Sequence, residues 1–208
     1  MKLIGKGATA EVYEYEEGKI CKLFNLGYPQ DAVRREYENA LLLQSCELPV
    51  PKVYDMVTME GRDGIIYGRI IGENGIEKII QGEAANFFPI MFEVHKRILS
   101  IHTTQCINYK DFLRMVAEEV PEKKEQLLQQ IEQLPEGDAL CHGDYHPANL
   151  LIQEDGSFVV IDFMNVCHAP REYDIASTYF LLKYSQYEYL IHDNLLVPLT
   201  MISSGPIL

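Results

Sequence analysis

The stretch HGDYHPAN, residues 142–149, sets two histidines, an aspartate and an asparagine between apolar flanks, in a span too short for a helix. Side chains of this kind are costly to bury unless they are paired, so their concentration marks a place where chemistry is done. A second aspartate, Asp162, ends the apolar run VVI. The residues EDGS between LLI and FVVI predict a short hairpin, which would return Asp162 to the loop of Asp144 and Asn149. Three oxygen-bearing side chains so gathered suit magnesium, which accepts one or two carboxylates together with phosphate oxygens and water. That chemistry points to a nucleotide. The alternation of His142, Asp144 and His146, completed by His168 or Asp162, also admits a zinc hydrolase.

The elements that must position these groups fall into two textures. Residues 1–72 read as β-rich. AEVYEYEEGKICKLF gives two strand-like runs around a turn at Gly18, and LPVPKVYDMVTMEGRDGIIYGRIIGENG returns to strand character, with a turn at Gly61 to Gly64 and a break at Gly72 to Gly75. Between them DAVRREYENALLLQSC places Val33, Tyr37, Ala40 and Leu41 near helical spacing, with Asp31 as N-cap. Beyond residue 83 long helical segments take over, AANFFPIMFEVHKRILSIHTT and YKDFLRMVAEEVPEKKEQLLQQIEQL, the second interrupted at Pro121. From Ala169 the chain again reads as helical. The expected fold is α+β in two lobes, residues 1–72 and residues 73–208.

The chain of 208 residues is 47% hydrophobic and 24% charged, enough for one sizeable core or two small lobes. Its net charge of −13 disfavours a phosphate-backbone partner such as DNA. Residues 1–72 hold 9 basic and 11 acidic side chains, residues 73–208 hold 9 and 20, so the acid excess lies in the second part. The five cysteines are widely spaced and form no C-x-x-C pair, which argues against a disulfide framework or zinc knuckle and for reduced thiols in the cytoplasm. No run is long and apolar enough to span a membrane, and MKLIGKGATAEV lacks the pattern of a secretory signal.

Asp144 and Asn149 reproduce the aspartate-to-asparagine interval of the kinase catalytic loop, H-R-D-x-x-x-x-N, with His142 in the place of its histidine, and Asp162 in VVIDF falls where D-F-G would stand. In this form, HGDYHPANLL and VIDF, the chain resembles the aminoglycoside phosphotransferase and choline kinase-like family, as a short bacterial member. That resemblance implies a bilobal protein-kinase-like fold, with an N-terminal antiparallel sheet carrying one helix and a mainly helical C-terminal lobe. It implies Asp144 as catalytic base and Asn149 and Asp162 as magnesium ligands. The remaining apparatus follows in order. Gly5 and Gly7 of GKGATAEV form a turn that lets backbone N–H groups approach phosphates. Lys22 stands where the kinase lysine meets the α- and β-phosphates, Glu36 on the helix is placed to pair with it, and Tyr67, Gly68, Arg69 and Ile70 form the interlobe hinge that binds the adenine edge. This matched order covers residues 4 to about 178. It requires the side chains of residues 22, 144, 149 and 162 to converge in one cleft.

The expected activity is magnesium-dependent transfer of the γ-phosphate of ATP or GTP to a hydroxyl of a small molecule. The acid excess of residues 73–208 favours a cationic acceptor, such as an aminoglycoside or a choline-like amino alcohol. A catalytically silent nucleotide-binding module is the alternative of a different class. Two departures accompany the resemblance: D-F-M replaces D-F-G, and only 46 residues follow Asp162, so the C-terminal lobe reads as shortened, with an open acceptor pocket, a pocket closed by a second subunit, or a large acceptor. The apolar ending NLLVPLTMISSGPIL would dock on the lobe or on a partner. His142 and His146 read as structural, Asp174 as a helix cap or a brace for the catalytic loop, and His95 and His102 as packing or surface residues.

Overall fold

The computed structural model describes residues 1–184. These divide into two compact units, the first made of residues 1–72 and 151–166, the second of residues 73–150 and 167 onward. The continuous segments 1–72 and 73–208 expected from sequence differ at residues 151–166, which group with the first unit.

The first unit is built on five antiparallel strands, β1 (Leu3–Lys6), β2 (Ala10–Glu14), β3 (Lys19–Phe24), β4 (Val53–Met59) and β5 (Arg62–Gly68), in the order β1-β2-β3-β5-β4. The β2–β3 hairpin closes near Gly18, whose φ of 70° is open to glycine at little cost. The β4–β5 hairpin closes on Glu60 and Gly61, both with positive φ, the requirement of a two-residue turn that matches strand twist. Helix α1 (Gln30–Ser45) packs against β4 and β5 through the stripe Val33, Glu36, Asn39, Ala40 and Leu43. It begins after Pro29 with no side-chain cap. Asp31, expected as the N-cap, instead lies in the first turn, where its charge complements the helix dipole.

The second unit opens with β6 (Glu73–Asn74) and α2 (Gly75–Ile80), where Asn74 and Glu77 form a reciprocal capping box. Gly75 has no room for a side chain, because a Cβ there would stand 2.7 Å from the Pro147 carbonyl oxygen and 2.1 Å from the buried Phe87 ring. Helix α3 (Ala84–Leu99) buries Phe87, Phe88, Met91, Val94, His95 and Ile98. Next come β7 (Ile107–Asn108) and α4 (Tyr109–Glu118); a 3-10 turn at Pro121–Lys123 then leads into α5 (Lys124–Glu132), as the proline break anticipates. Strand β8 (Ala139–Cys141) runs into the HGDYHPAN loop.

The chain then forms β9 (Leu150–Ile152) and β10 (Phe158–Val160) around the EDGS turn, where Gly156 has φ 80°. It re-enters the second unit as β11 (Cys167–Ala169), which lies between β7 and β8, and ends in α6 (Arg171–Tyr184). This mixed α+β architecture, an antiparallel N-terminal sheet with one helix followed by a mainly helical part, agrees with the expected fold class. The apolar ending expected to dock lies outside the described residues.

Candidate active site

In the first unit the strand register places Gly5 opposite Val12, Val12 opposite Lys22, and Lys22 opposite Ile65, so the glycine turn and the lysine share one line across the sheet. The Gly7 N–H donates to the Ala10 carbonyl at 2.8 Å, which closes that turn. Neither Gly5 nor Gly7 is demanded by the chain itself. A Cβ at either would meet its nearest neighbour at 3.5 Å, an ordinary contact, and neither has positive φ.

Lys22 projects from β3 and meets two carboxylates. Its Nζ lies 2.7 Å from Glu36 Oε1 and 2.9 Å from Asp162 Oδ1. Burial opposes the charge on this ammonium, but Glu36 and Asp162 outweigh it and lift its pKa above the ordinary lysine value. Glu36, 1% exposed in its side chain, is itself pushed up by burial, with Lys22 pulling the other way. Asp162 is different: its side chain is 43% exposed and its backbone has φ 70°. A left-handed aspartate stores of order 1 kcal/mol of strain and persists only where its surroundings enforce it.

The residues expected at an interlobe hinge lie at the end of β5 and just after it. Tyr67 lies within β5, buried, and its hydroxyl donates to Glu36 Oε1 at 3.2 Å. Its burial holds the phenol well above its usual pKa, so it stays a neutral donor. Gly68 gives its N–H to the Lys52 carbonyl, and Arg69 gives its own to Gly18 while its guanidinium pairs with Glu14. Ile70 follows β5, half-buried. The Tyr67 side chain thus serves the Lys22–Glu36 pair and the Arg69 N–H is bonded within the sheet. The Tyr67–Glu36 bond was not legible in sequence, because a strand-end tyrosine gives no signal of which carboxylate its hydroxyl will find.

In the second unit Asp144 and Asn149 come together in the loop after β8. Asn149 Nδ2 donates to the Asp144 carbonyl at 2.9 Å and lies 3.5 Å from its carboxylate Oδ2. His146 Nε2 stands 3.7 Å from Asp144 Oδ1. Burial acts to raise the Asp144 carboxyl, but His146, His142 and Asn149 outweigh it and hold the group below its ordinary value, so it is ionised and able to accept a proton. His142 Nδ1 accepts the Asp144 N–H and His146 Nδ1 accepts the Ala148 N–H, which gives both histidines the structural role expected of them.

Beneath the loop, Asp174 of α6 accepts the N–H groups of His142 and Gly143 at 2.9 and 2.8 Å and meets His95 Nε2 at 2.9 Å. Of the two roles open to Asp174, bracing the loop is the one realised. His95, stacked on Tyr145 at 4.4 Å, belongs to the same brace. Among the described residues no three His, Cys, Asp or Glu side chains converge to hold a metal. The zinc hydrolase reading therefore finds no ligand group to rest on among these residues, and His142 is buried.

Each unit, taken by itself, offers donor chemistry that suits magnesium. Asn149 spends its amide nitrogen on Asp144, which leaves an oxygen donor, and Lys22 takes Oδ1 of Asp162 while the carboxylate remains partly exposed. These are hard oxygens of the kind that ion accepts.

Residues 1–189 match the model of the phosphotransferase enzyme family, APH. The chain belongs to that family and is a phosphotransferase of the small-molecule kinase class. Its fold is shared with a thermostable mutant of aminoglycoside phosphotransferase APH(4)-Ia in ternary complex with ADP and hygromycin B, at 17% identity, TM-score 0.64, covering 92% of this chain and 77% of the other. It is shared likewise with the type VIII aminoglycoside-3'-phosphotransferase, at 19% identity, TM-score 0.62 and coverages of 90% and 78%. APH(3'')-Id from Streptomyces rimosus, in complex with ADP and streptomycin, gives 15% identity, TM-score 0.60 and coverages of 90% and 84%. No curated protein matches the sequence. Among the described residues no helix is long and apolar enough to cross a membrane.

Proposed function

We propose that the chain transfers the γ-phosphoryl group of ATP or GTP, with magnesium, to a hydroxyl of a small cationic molecule. The observation that carries this reading is Lys22 held between Glu36 and Asp162 at 2.7 and 2.9 Å, a fixed cation in line with a glycine turn that the chain's own packing does not require.

Phosphoryl transfer asks a protein mainly for alignment and charge neutralisation. Lys22 would bind the α- and β-phosphates, with Glu36 and Tyr67 fixing its direction. Gly5 and Gly7 would admit the phosphates close to the backbone. Asn149 and Asp162 would hold magnesium, which when bound neutralises charge on the phosphate oxygens. Asp144, ionised, would accept the proton of the acceptor hydroxyl, and Asn149 holds its loop in shape. The adenine or guanine edge would meet the backbone near Ile70.

A cationic acceptor is supported by the acid excess of residues 73–208 and by the structural neighbours that hold hygromycin B and streptomycin. All five cysteines are free, which suits a cytoplasmic enzyme. The test is ATP and GTP consumption with magnesium against aminoglycosides, choline, ethanolamine, hydroxylated amino acids and neutral sugars. Stimulation by a cationic hydroxyl compound is expected. Stimulation by neutral sugars alone would remove the charge argument, and none by any acceptor would favour a silent nucleotide-binding module.

A further inference from the structure

Asn39 is a buried polar side chain that the phosphoryl-transfer assignment leaves unused. It is 3% exposed and sits one helical turn after Glu36 on the stripe of α1 that packs on the sheet. Burying a carboxamide among Val33, Ala40 and Leu43 is costly unless it is well bonded. Its Nδ2 donates to the Phe163 carbonyl at 2.8 Å, across 124 residues of sequence. The same carbonyl accepts the Val166 N–H at the longer distance of 3.4 Å.

Phe163 directly follows Asp162, the left-handed residue. Two residues before Asp162, the Val160 N–H is tied to the Pro49 carbonyl at 2.8 Å. Asp162 is thus a strained residue between two anchors, one in the main chain of the sheet unit and one supplied by a side chain of α1. Its own carboxylate is tied to Lys22, whose other partner is Glu36 on the same helix. Helix α1 therefore holds this segment twice, through Glu36 on the side-chain side and through Asn39 on the backbone side.

We infer that Asn39 is a positioning residue for Asp162: by fixing the peptide carbonyl next in sequence, it keeps the aspartate in the left-handed conformation from which its carboxylate serves the metal. The inference rests on the assignment of Asp162 to magnesium. It goes beyond that assignment by making metal affinity depend on a side chain of α1 that touches neither metal nor nucleotide.

The experiment is calorimetric titration with AMP-PNP at a series of Mg2+ concentrations on wild type, Asn39→Leu, Asn39→Asp and Asp162→Asn. Leucine keeps the volume and removes the donor, and aspartate keeps the shape and, when ionised, turns the donor into an acceptor. In both Asn39 variants the Mg2+ concentration for half-maximal enhancement should rise about 10- to 100-fold, the usual cost of losing a group that orients a metal ligand. AMP-PNP affinity without metal, which rests on Lys22, should stay unchanged. An unaltered magnesium requirement in folded Asn39→Leu overturns the inference. Asp162→Asn separates the two failures: if it too leaves the magnesium requirement unaltered, the metal assignment falls, whereas if it raises the requirement and the Asn39 variants do not, the positioning role alone falls. Should the variants not fold, NMR of wild type labelled with 15N-asparagine decides. The Asn39 side-chain amide signals are expected to move when Mg2+ is added to the AMP-PNP-bound protein, and signals that stay in place overturn the inference.

Discussion

The Asp174 carboxylate accepts the backbone N–H of His142 at 2.9 Å, so a helix late in the chain sets the conformation of the HGDYHPAN loop. Burial works to raise the Asp174 carboxyl, but its bonds to His95 and to the loop outweigh this and depress it below the ordinary value of 3.8. A depressed carboxyl stabilises the fold fully above its unfolded value, and that contribution is lost as the pH falls through the lower folded value. Asp174→Asn should therefore be less stable than wild type at neutral pH, and the gap should narrow in acid. Urea unfolding of both proteins at neutral pH and below the ordinary carboxylate value checks this. A gap independent of pH would refute it.

Lys22→Met and Glu36→Gln should differ in stability although they break one pair. Removing the lysine strands the Glu36 carboxylate in the interior, where the Tyr67 hydroxyl is a weak substitute, at a cost of about 3 kcal/mol. Glu36→Gln leaves Lys22 its second partner, Asp162, and should cost less. Chemical denaturation of the two variants gives the order. Both should weaken ATP binding, Lys22→Met the more.

Asp144→Ala should lower turnover by roughly 10²- to 10⁴-fold, the range of a general base, while nucleotide binding measured calorimetrically persists. Equal turnover in variant and wild type would remove the base assignment.

If the acid excess of residues 73–208 attracts the acceptor, KM for a cationic acceptor should rise with ionic strength, and KM for a neutral one should not. Initial rates across a salt series, with ATP and magnesium saturating, make the comparison.

Much of this was legible from residue order. The interval from Asp144 to Asn149, the isolated Lys22 in an apolar strand and the glycines before β2 each carry a spacing that chemistry constrains. What stayed hidden depends on side chains meeting across long separations. The bond of the Tyr67 hydroxyl to Glu36 joins β5 to α1 across 31 residues, and no local pattern in the strand reports it. Asn39 left a faint trace, a carboxamide on the buried stripe of α1, but its partner is a main-chain carbonyl that no side-chain pattern reports. His95 read as packing because its partner Asp174 lies 79 residues away.

The hairpin carrying Asp162 belongs to the sheet unit, although 78 residues of the other unit separate it from Gly72. During synthesis the nascent sheet must therefore wait for residue 166 to leave the ribosome before Lys22 acquires one of its two carboxylates. A gene fragment ending at Gly72 would encode five strands and a helix but never the complete ion cluster, so a separately expressed N-terminal piece is a poor stand-in for that half of the enzyme.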